Sequence, residues 1–184
     1  MPLILASKSP RRQELMRLIT HDFSAVDPSV DEAVPDGIGP ETTAEMLACR
    51  KAIAAAKQFP GDWVVGADTV VEIKGERLGK PRDCEDAKRM LRLLEGKLHH
   101  VHTGVCIAGP GGTESFVSSA EVWFAPMSED EIEEYAASGE GMDKAGAYGI
   151  QGSGARFVRE IHGDYYAVVG LPVQRLYERL KEKI

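Results

Sequence analysis

The sequence lacks any long hydrophobic run, and its first residues lack a basic segment followed by a small-residue cleavage site. A membrane-spanning helix needs about 20 predominantly apolar residues. A secretory signal peptide needs the basic and cleavable segments that are missing here. We therefore expect a cytoplasmic protein that does not associate with membranes.

Cysteine is scarce. The 3 cysteines, Cys49, Cys84 and Cys106, are far apart and have no C-x-x-C spacing. An odd number of distant cysteines argues against both a disulfide framework and a structural zinc site. We predict that all of them are buried thiols.

Positive charge is also in deficit, because 22 lysines and arginines face 29 aspartates and glutamates, for a formal net charge of −7. Affinity for a nucleic-acid backbone comes mainly from clustered lysine and arginine, so a general nucleic-acid-binding protein is disfavoured. A small polyanionic substrate remains compatible with this balance if the fold brings several cations together.

The length of 184 residues and the apolar content of 43% suit a single domain over residues 1–184, or two small lobes that share a core. Apolar spacing predicts strands at 3–6, 63–67, 70–73, 76–78, 101–107, 116–124 and 157–161. Helices are predicted to begin at Ser9-Pro10 and to span 43–57, 85–94, 128–136 and 172–183. This mixed order, with its antiparallel hairpins, predicts an α/β protein with a mixed sheet.

Two of the predicted helices have an apolar face that identifies their expected core residues. We expect the helix at 43–57 to bury Met46, Leu47, Ile53 and Ala54. We expect the last helix to bury Val173, Leu176, Tyr177 and Leu180.

The loop between the first strand and the first helix suits a bound anion. Ser7, Ser9, Arg11 and Arg12 supply hydroxyls and guanidiniums at a helix start, where backbone N–H groups and the helix dipole favour phosphate oxygens. The alternative is a capped helix with solvated arginines.

Asp68 lies in a run of residues that are otherwise small, apolar or uncharged, from Gly66 to Val71. A buried carboxylate is costly unless it is paired, hydrogen-bonded or bound to a cation. Asp68 is thus the best candidate for a general base or a hard-metal ligand, with Glu32 as a possible second carboxylate. The alternative is a turn residue between two strands.

Further candidates are weaker when each is taken alone. Lys80 follows a strand end without a P-loop pattern, and Lys51 could be a solvated charge on its helix. Gln151, in the glycine-rich stretch 143–152, offers the donor and acceptor that a base edge requires, although this stretch could be a structural turn. The histidines at 99, 100 and 102 are interpreted as strand surface rather than as a zinc site.

Taken together, these segments resemble the Maf family of nucleoside triphosphate pyrophosphatases over nearly the whole chain. The matching motifs are Leu5-Ala6-Ser7 with Ser9-Pro10-Arg11-Arg12, Lys51-Ala52, Gly66-Ala67-Asp68-Thr69-Val70, Leu78-Gly79-Lys80-Pro81, His102-Thr103-Gly104-Val105, the run from Asp143 to Gly152, and Val169-Gly170-Leu171-Pro172.

The resemblance implies an elongated, ITPase-like α/β fold with a mixed sheet flanked by helices and a central cleft between two lobes. It implies hydrolysis of dTTP and UTP between the α- and β-phosphates, with CTP and modified pyrimidine nucleotides as further substrates. A Mg²⁺ or Mn²⁺ cofactor, a homodimer, a house-cleaning role and a link to septum formation are also implied.

The resemblance further implies a role for each matching residue. It assigns catalysis to Asp68, with Glu32 and Asp68 near the metal. Phosphate binding is assigned to Ser7, Arg12, Lys51 and Lys80, and pyrimidine specificity to Arg11, Thr69 and Gln151.

Three other functions are alternatives to this one. A regulator could bind the triphosphate without hydrolysing it, but pure anion binding would gain nothing from a carboxylate at Asp68 beside the phosphates. A phosphatase of the haloacid dehalogenase type would need a D-x-D motif, and residue 70 is Val. A purine-specific pyrophosphatase would be distinguished by a panel of nucleotides.

Overall fold

The computed structural model describes residues 2–184 and contains a seven-stranded sheet with helices on both faces. The strands are β1 (Leu3–Ala6), β2 (Phe23–Val26), β3 (Trp63–Ile73), β4 (Glu76–Leu78), β5 (Leu98–Gly109), β6 (Gly112–Phe124) and β7 (Val158–Gly163). The helices are α1 (Pro10–Arg17), α2 (Pro40–Ala56), α3 (Cys84–Leu94), α4 (Glu129–Ala137), α5 (Tyr165–Val169) and α6 (Val173–Leu180).

The sheet is mixed, as predicted. Its order is β2-β1-β3-β5-β6-β7, with β4 added to β3. β1 pairs in parallel with β2 and β3, and all other pairs are antiparallel. The architecture therefore confirms an α/β fold in which a parallel start leads into long antiparallel hairpins.

One edge of β3 is left open in its middle. The β1 pairing ends at Gly66, and the β4 pairing begins at Val71. Asp68 lies between them, but the chain does not turn there, because β5 pairs with β3 continuously and places Gly104 opposite Asp68. The alternative in which Asp68 is a turn residue is therefore wrong.

Two hydrophobic clusters pack on either side of this open edge and form the expected two lobes. One cluster joins β1 to α1 and α6 through residues such as Leu5, Met16 and Leu176. The other joins α3 and α4 to the sheet through residues such as Leu91 and Tyr135. No helix within residues 2–184 is both long enough and apolar enough to cross a membrane.

Helix α2 packs very closely on the sheet because glycines lie beneath it. A Cβ atom added at Gly66 would come within 2.4 Å of the Ala48 carbonyl oxygen, and one added at Gly104 within 2.4 Å of the Ala44 carbonyl oxygen. The face that α2 buries is accordingly composed mainly of small residues. Its members are Thr43, Ala44, Leu47, Ala48, Lys51, Ala52 and Ala55.

The predicted inward face of α2 was therefore largely wrong. Leu47 is buried, but Ile53 is 43% exposed, and Met46 and Ala54 are only half-buried. The reason is steric, since the space above Gly66 and Gly104 admits alanine and excludes longer side chains.

Other expectations need smaller corrections. Tyr177 on α6 is 50% exposed. Of the cysteines predicted to be buried, Cys106 is buried, Cys49 is only half-buried and Cys84 is exposed at the start of α3. His99 and His102 are buried instead of lying on the strand surface. The short elements β2 and α5 were not predicted. Unlike β1, which is a continuous apolar run, β2 is interrupted by Ser24 and is not fully buried, and the 5 residues of α5 are too few to establish a helical period.

We predict that Gly104→Ala destabilises the protein by about 3 kcal/mol, the upper end for overpacking, because the added methyl group meets the backbone of α2. The midpoint of thermal unfolding should fall by roughly 6 to 12 °C. Gly111→Ala is the matched control, because its Cβ would lie 3.5 Å from the Trp63 ring, an ordinary contact. Equal midpoints for the two variants would contradict the close packing of α2.

Candidate active site

A cleft of about 770 Å³ opens at the unpaired edge of β3, between the two lobes. Every predicted site residue except Ser7 lines it. These residues are Arg11, Arg12, Glu32, Lys51, Asp68, Thr69, Lys80 and Gln151. Because successive strand residues point to opposite faces, Asp68 and Thr69 present side chains to two sides of the same edge.

On the α2 side, Lys51 joins two carboxylates. Its Nζ atom lies 2.5 Å from Asp68 Oδ1 and 2.7 Å from Glu32 Oε1. Lys51 is only 8% exposed, so the alternative of a solvated helix charge is wrong. The hydrogen bond from Lys51 is the main reason that the pKa of Glu32 is lowered. The fold brings these three side chains together, since Lys51 lies on α2, Asp68 on β3 and Glu32 on the segment before α2.

The carboxylate oxygens around Lys51 are ligands that suit a hard cation. Two carboxylates converge on one ammonium group, which shows that the site accommodates positive charge. Within residues 2–184, no three or more His, Cys, Asp or Glu side chains gather in a way that could hold a metal ion. A Mg²⁺ ion commonly uses one or two protein carboxylates and takes its other ligands from water and substrate phosphates. Asp68 and Glu32 fit that pattern.

On the opposite side, Arg12 is held by a chain of hydrogen bonds. Its Nε donates to Gly170 O at 2.9 Å and its Nη2 to Thr69 Oγ1 at 3.1 Å. Thr103 Oγ1 donates to Ala167 O at 2.7 Å, so in its 2.9 Å contact with Thr69 the Thr69 hydroxyl is the donor. Thr69 thus accepts from Arg12 and fixes the guanidinium.

Charge and burial act in opposite directions on Arg12. Burial, the largest influence, lowers its pKa, and the negative charge of Asp68 raises it.

Arg11 extends across the cleft and donates to Asp143 Oδ2 at 3.1 Å, while Lys144 Nζ lies 2.6 Å from Asp143 Oδ1. The two arginines are therefore half-buried and held in place, so the alternative of solvated arginines is wrong.

The loop before α1 combines a helix cap with a buried hydroxyl. Ser9 Oγ accepts from Arg12 N at 3.5 Å, and Pro10 opens the helix, as predicted. Ser7 is 5% exposed, and its Oγ accepts from Ser9 N at 3.2 Å. Ser7 therefore lies just behind the cleft wall. Lys80 lies on the cleft margin directly after β4, with an exposed side chain.

Glu140 organises the glycine-rich loop, and sequence reasoning did not identify it. Its carboxylate accepts hydrogen bonds from Tyr135 OH at 2.9 Å, Ser153 N at 2.9 Å, Ser153 Oγ at 2.7 Å and Gly154 N at 3.1 Å. Tyr135 OH in turn accepts from Gly149 N at 3.0 Å. Burial alone would raise the pKa of Glu140, but the hydrogen bonds outweigh it and lower that pKa to about 2.

The loop around Gln151 is thereby fixed at both ends. A Cβ atom at Gly152 would lie 2.4 Å from Glu140 Oε1, so only glycine allows the chain to pass this carboxylate. On the other side, Tyr148 OH lies 2.9 Å from Nε2 of the buried His99. Gln151 stands exposed between these anchors, at the cleft.

The chain is similar to known proteins in both sequence and fold. The family described as Maf-like protein matches residues 2–183. A dTTP/UTP pyrophosphatase of Geobacillus sp. (strain WCH70) is 49% identical over 179 residues, covering 97% of this chain and 96% of that protein. A dTTP/UTP pyrophosphatase of Bacillus velezensis is 48% identical over 180 residues, covering 98% and 95% respectively. The solved Ham1 protein of Staphylococcus aureus covers 100% of both chains with a TM-score of 0.56 at 17% identity, which shows a shared fold.

We predict that Glu140→Gln lowers stability at pH 7 and that its difference from wild type narrows in acid. The folded-state pKa of about 2 lies below the usual glutamate value, which is about 4.3. The ionised group therefore stabilises the fold above that usual value, and this contribution is lost as the pH falls through the folded-state pKa. Urea midpoints at pH 7, 5, 4 and 3 measure the difference. A difference that stays constant with pH would contradict the ionised Glu140.

Proposed function

The chain belongs to the Maf family, and we propose that it hydrolyses dTTP and UTP to the nucleoside monophosphate and pyrophosphate. The observation that carries this proposal is the Lys51–Asp68 pair at the open edge of β3, 2.5 Å between Nζ and Oδ1. Cations and an ordered glycine-rich loop flank the pair within one cleft. The names of the relatives support the same reaction.

In the proposed reaction, a water oxygen attacks the α-phosphorus, and the bond from that phosphorus to the bridging oxygen of the β-phosphate breaks. Pyrophosphate leaves with that bridging oxygen. Asp68 Oδ1 is bound to Lys51, whereas Oδ2 makes no hydrogen bond within residues 2–184. Oδ2 is free to take the proton of the water or to bind a divalent cation together with Glu32. Mg²⁺ or Mn²⁺, when bound there, would supply positive charge to the triphosphate oxygens.

The cations of the cleft would bind the phosphates. Arg12 presents a fixed guanidinium because neutral acceptors, Gly170 O and Thr69 Oγ1, hold it without cancelling its charge. On the other side of Asp68, Lys80 adds positive charge. Lys51 would contact a phosphate while its own charge is paired with Asp68 and Glu32. Ser7 lies behind the cleft wall, and its Oγ accepts from Ser9 N, so Ser7 would contribute to phosphate binding by holding the loop before α1. Such groups stabilise negative charge that develops on the α-phosphate oxygens and on the leaving pyrophosphate.

Pyrimidine selectivity would come from the loop that Glu140 orders. The Gln151 amide can pair with the O4 and N3 edge that uracil and thymine share. Arg11 would help through its fixed position beside Asp143. Thr69 would act through Arg12, because its hydroxyl accepts from Arg12 and its one proton is donated to Thr103. CTP and modified pyrimidine nucleotides are proposed as further substrates.

A single domain over residues 1–184, a homodimer, a cytoplasmic location and a link to cell division stay predictions.

The two alternative functions, a regulator and a purine pyrophosphatase, predict different experimental results. A regulator would bind UTP without releasing pyrophosphate, and a purine enzyme would prefer ATP or GTP in a nucleotide panel.

We expect Asp68→Asn to reduce pyrophosphate release from UTP and dTTP by about 10² to 10⁴-fold, the usual contribution of a group that moves a proton in catalysis. Pyrophosphate and orthophosphate should be assayed separately with Mg²⁺ or Mn²⁺. Asp130→Asn, at an exposed position on α4, is the matched control. Orthophosphate as the direct product, or full activity of Asp68→Asn, would refute the proposed reaction.

We expect Gln151→Ala to reduce the preference for UTP over ATP and GTP while some turnover remains. Losing hydrogen bonds to the base edge should change the ratio of kcat/KM values by about 10 to 100-fold, equivalent to roughly 1.4 to 3 kcal/mol. Gln174→Ala, an exposed glutamine on α6, is the control. Unchanged ratios in Gln151→Ala would exclude it from reading the base.

A further inference from the structure

Arg77 is a cleft residue that neither the motifs nor the proposed chemistry uses. It lies on β4 directly opposite Glu72 of β3, so its side chain points to the face of the sheet that α2 covers. Arg77 Nη1 donates to Thr43 Oγ1 at 2.8 Å, and Thr43 Oγ1 donates to Gly39 O at 2.9 Å. The start of α2 therefore holds Arg77 in one position in the cleft.

The charge of Arg77 is not neutralised by a direct partner. Within residues 2–184, no Asp or Glu oxygen lies within 4.0 Å of its guanidinium. By contrast, Arg11 pairs with Asp143, and Lys51 pairs with Asp68 and Glu32. A half-buried guanidinium whose contact is a neutral hydroxyl retains free donors, and it favours an anion in the adjoining space.

The position of Arg77 relative to Asp68 indicates which anionic part of a nucleotide Arg77 would contact. Thr43, Leu47 and Lys51 recur every fourth residue along the cleft face of α2, so Thr43 lies roughly 12 Å from Lys51 at about 1.5 Å per residue. Arg12 contacts Thr69 on the opposite face of the sheet, and Gly146 of the glycine-rich loop that carries Gln151 lies against Val71 on that same face. A nucleotide whose base meets Gln151 and whose α-phosphate meets Asp68 would extend its remaining phosphates toward Arg77.

We propose that Arg77 binds the terminal phosphates of the substrate and the pyrophosphate that leaves. The assignment rests on the proposed function, because that function sets the order of base, cleaved bond and terminal phosphates. The planar fork of a guanidinium contacts two phosphate oxygens at once, which suits a pyrophosphate group held by a fixed side chain. Arg77 is thus the residue that recognises the pyrophosphate portion of the nucleotide.

Direct binding of inorganic pyrophosphate, measured by calorimetry at a fixed Mg²⁺ concentration, tests the assignment. Arg77→Gln should bind pyrophosphate about 10 to 100-fold more weakly than wild type, the loss expected for hydrogen bonds to a charged group. Affinity for UMP should be unchanged. Arg82→Gln is the matched control, since Arg82 is exposed and contacts Asp86. Its affinity for pyrophosphate should equal that of wild type.

Equal pyrophosphate affinity in wild type and Arg77→Gln would overturn the assignment, and so would an equal loss of UMP affinity, which would mean that Arg77 only shapes the cleft. If Arg77→Gln does not fold, Arg77→Lys keeps the charge without the fork and should still weaken pyrophosphate binding. In kinetics, KM for UTP should rise by the factor seen in binding, with kcat nearly unchanged. An assay in which wild type binds pyrophosphate through Arg77 but does not hydrolyse UTP would reject the proposed function and leave the binding assignment intact.

Discussion

The close contact between α2 and the sheet is the constraint on which the site depends. Gly66 and Gly104 let the helix backbone approach the strands, and Ala48 and Ala52 fill the remaining space. Lys51 lies between these alanines in sequence, so the same approach carries its ammonium group to Asp68. A lysine buried this far needs a carboxylate partner, and two meet it. Packing of small residues thus sets the geometry of the reactive charges.

The second constraint is the gap between the partners of β3. β1 ends at Ala6, where Ser7 N donates to Leu5 O and Pro10 soon begins α1. β4 adds to the same edge only from Val71 onward. The stretch of β3 between these two pairings stays paired with β5 but leaves its other edge accessible. Successive residues there point to opposite faces of the sheet, so side chains from both faces reach the cleft. One strand therefore offers a carboxylate to one side of the cleft and the partner of Arg12 to the other.

Features encoded locally were predictable from the sequence. Ser9-Pro10 begins α1, and Ser128 and Glu131 form the capping box of α4. The tight turn at Lys74-Gly75 has the positive φ values of 51° and 83° that suit a two-residue hairpin. In each case the residues that form the feature lie within a few positions of one another.

Features that depend on distant contacts were not predictable. The buried face of α2 is decided by glycines on two strands, so apolar size along the helix was misleading. Glu140 is one acidic residue among 29, and its role depends on a loop that returns 13 residues later. The position of Arg77 in the cleft is set by a hydroxyl 34 positions away. The motifs identified most cleft residues, but they did not place Ser7 behind the wall.

The distribution of paired and unpaired charge gives the cleft a direction. Asp143 offsets the charge of Arg11, and Asp68 and Glu32 offset that of Lys51. Arg12 and Arg77 contact only neutral acceptors within the described chain, so their charge remains available to an anion. A protein of net charge −7 repels a triphosphate at long range. In the proposed reaction, binding therefore depends on these unpaired guanidiniums, one on each side of Asp68, and they would orient the triphosphate so that its α-phosphate meets the carboxylate.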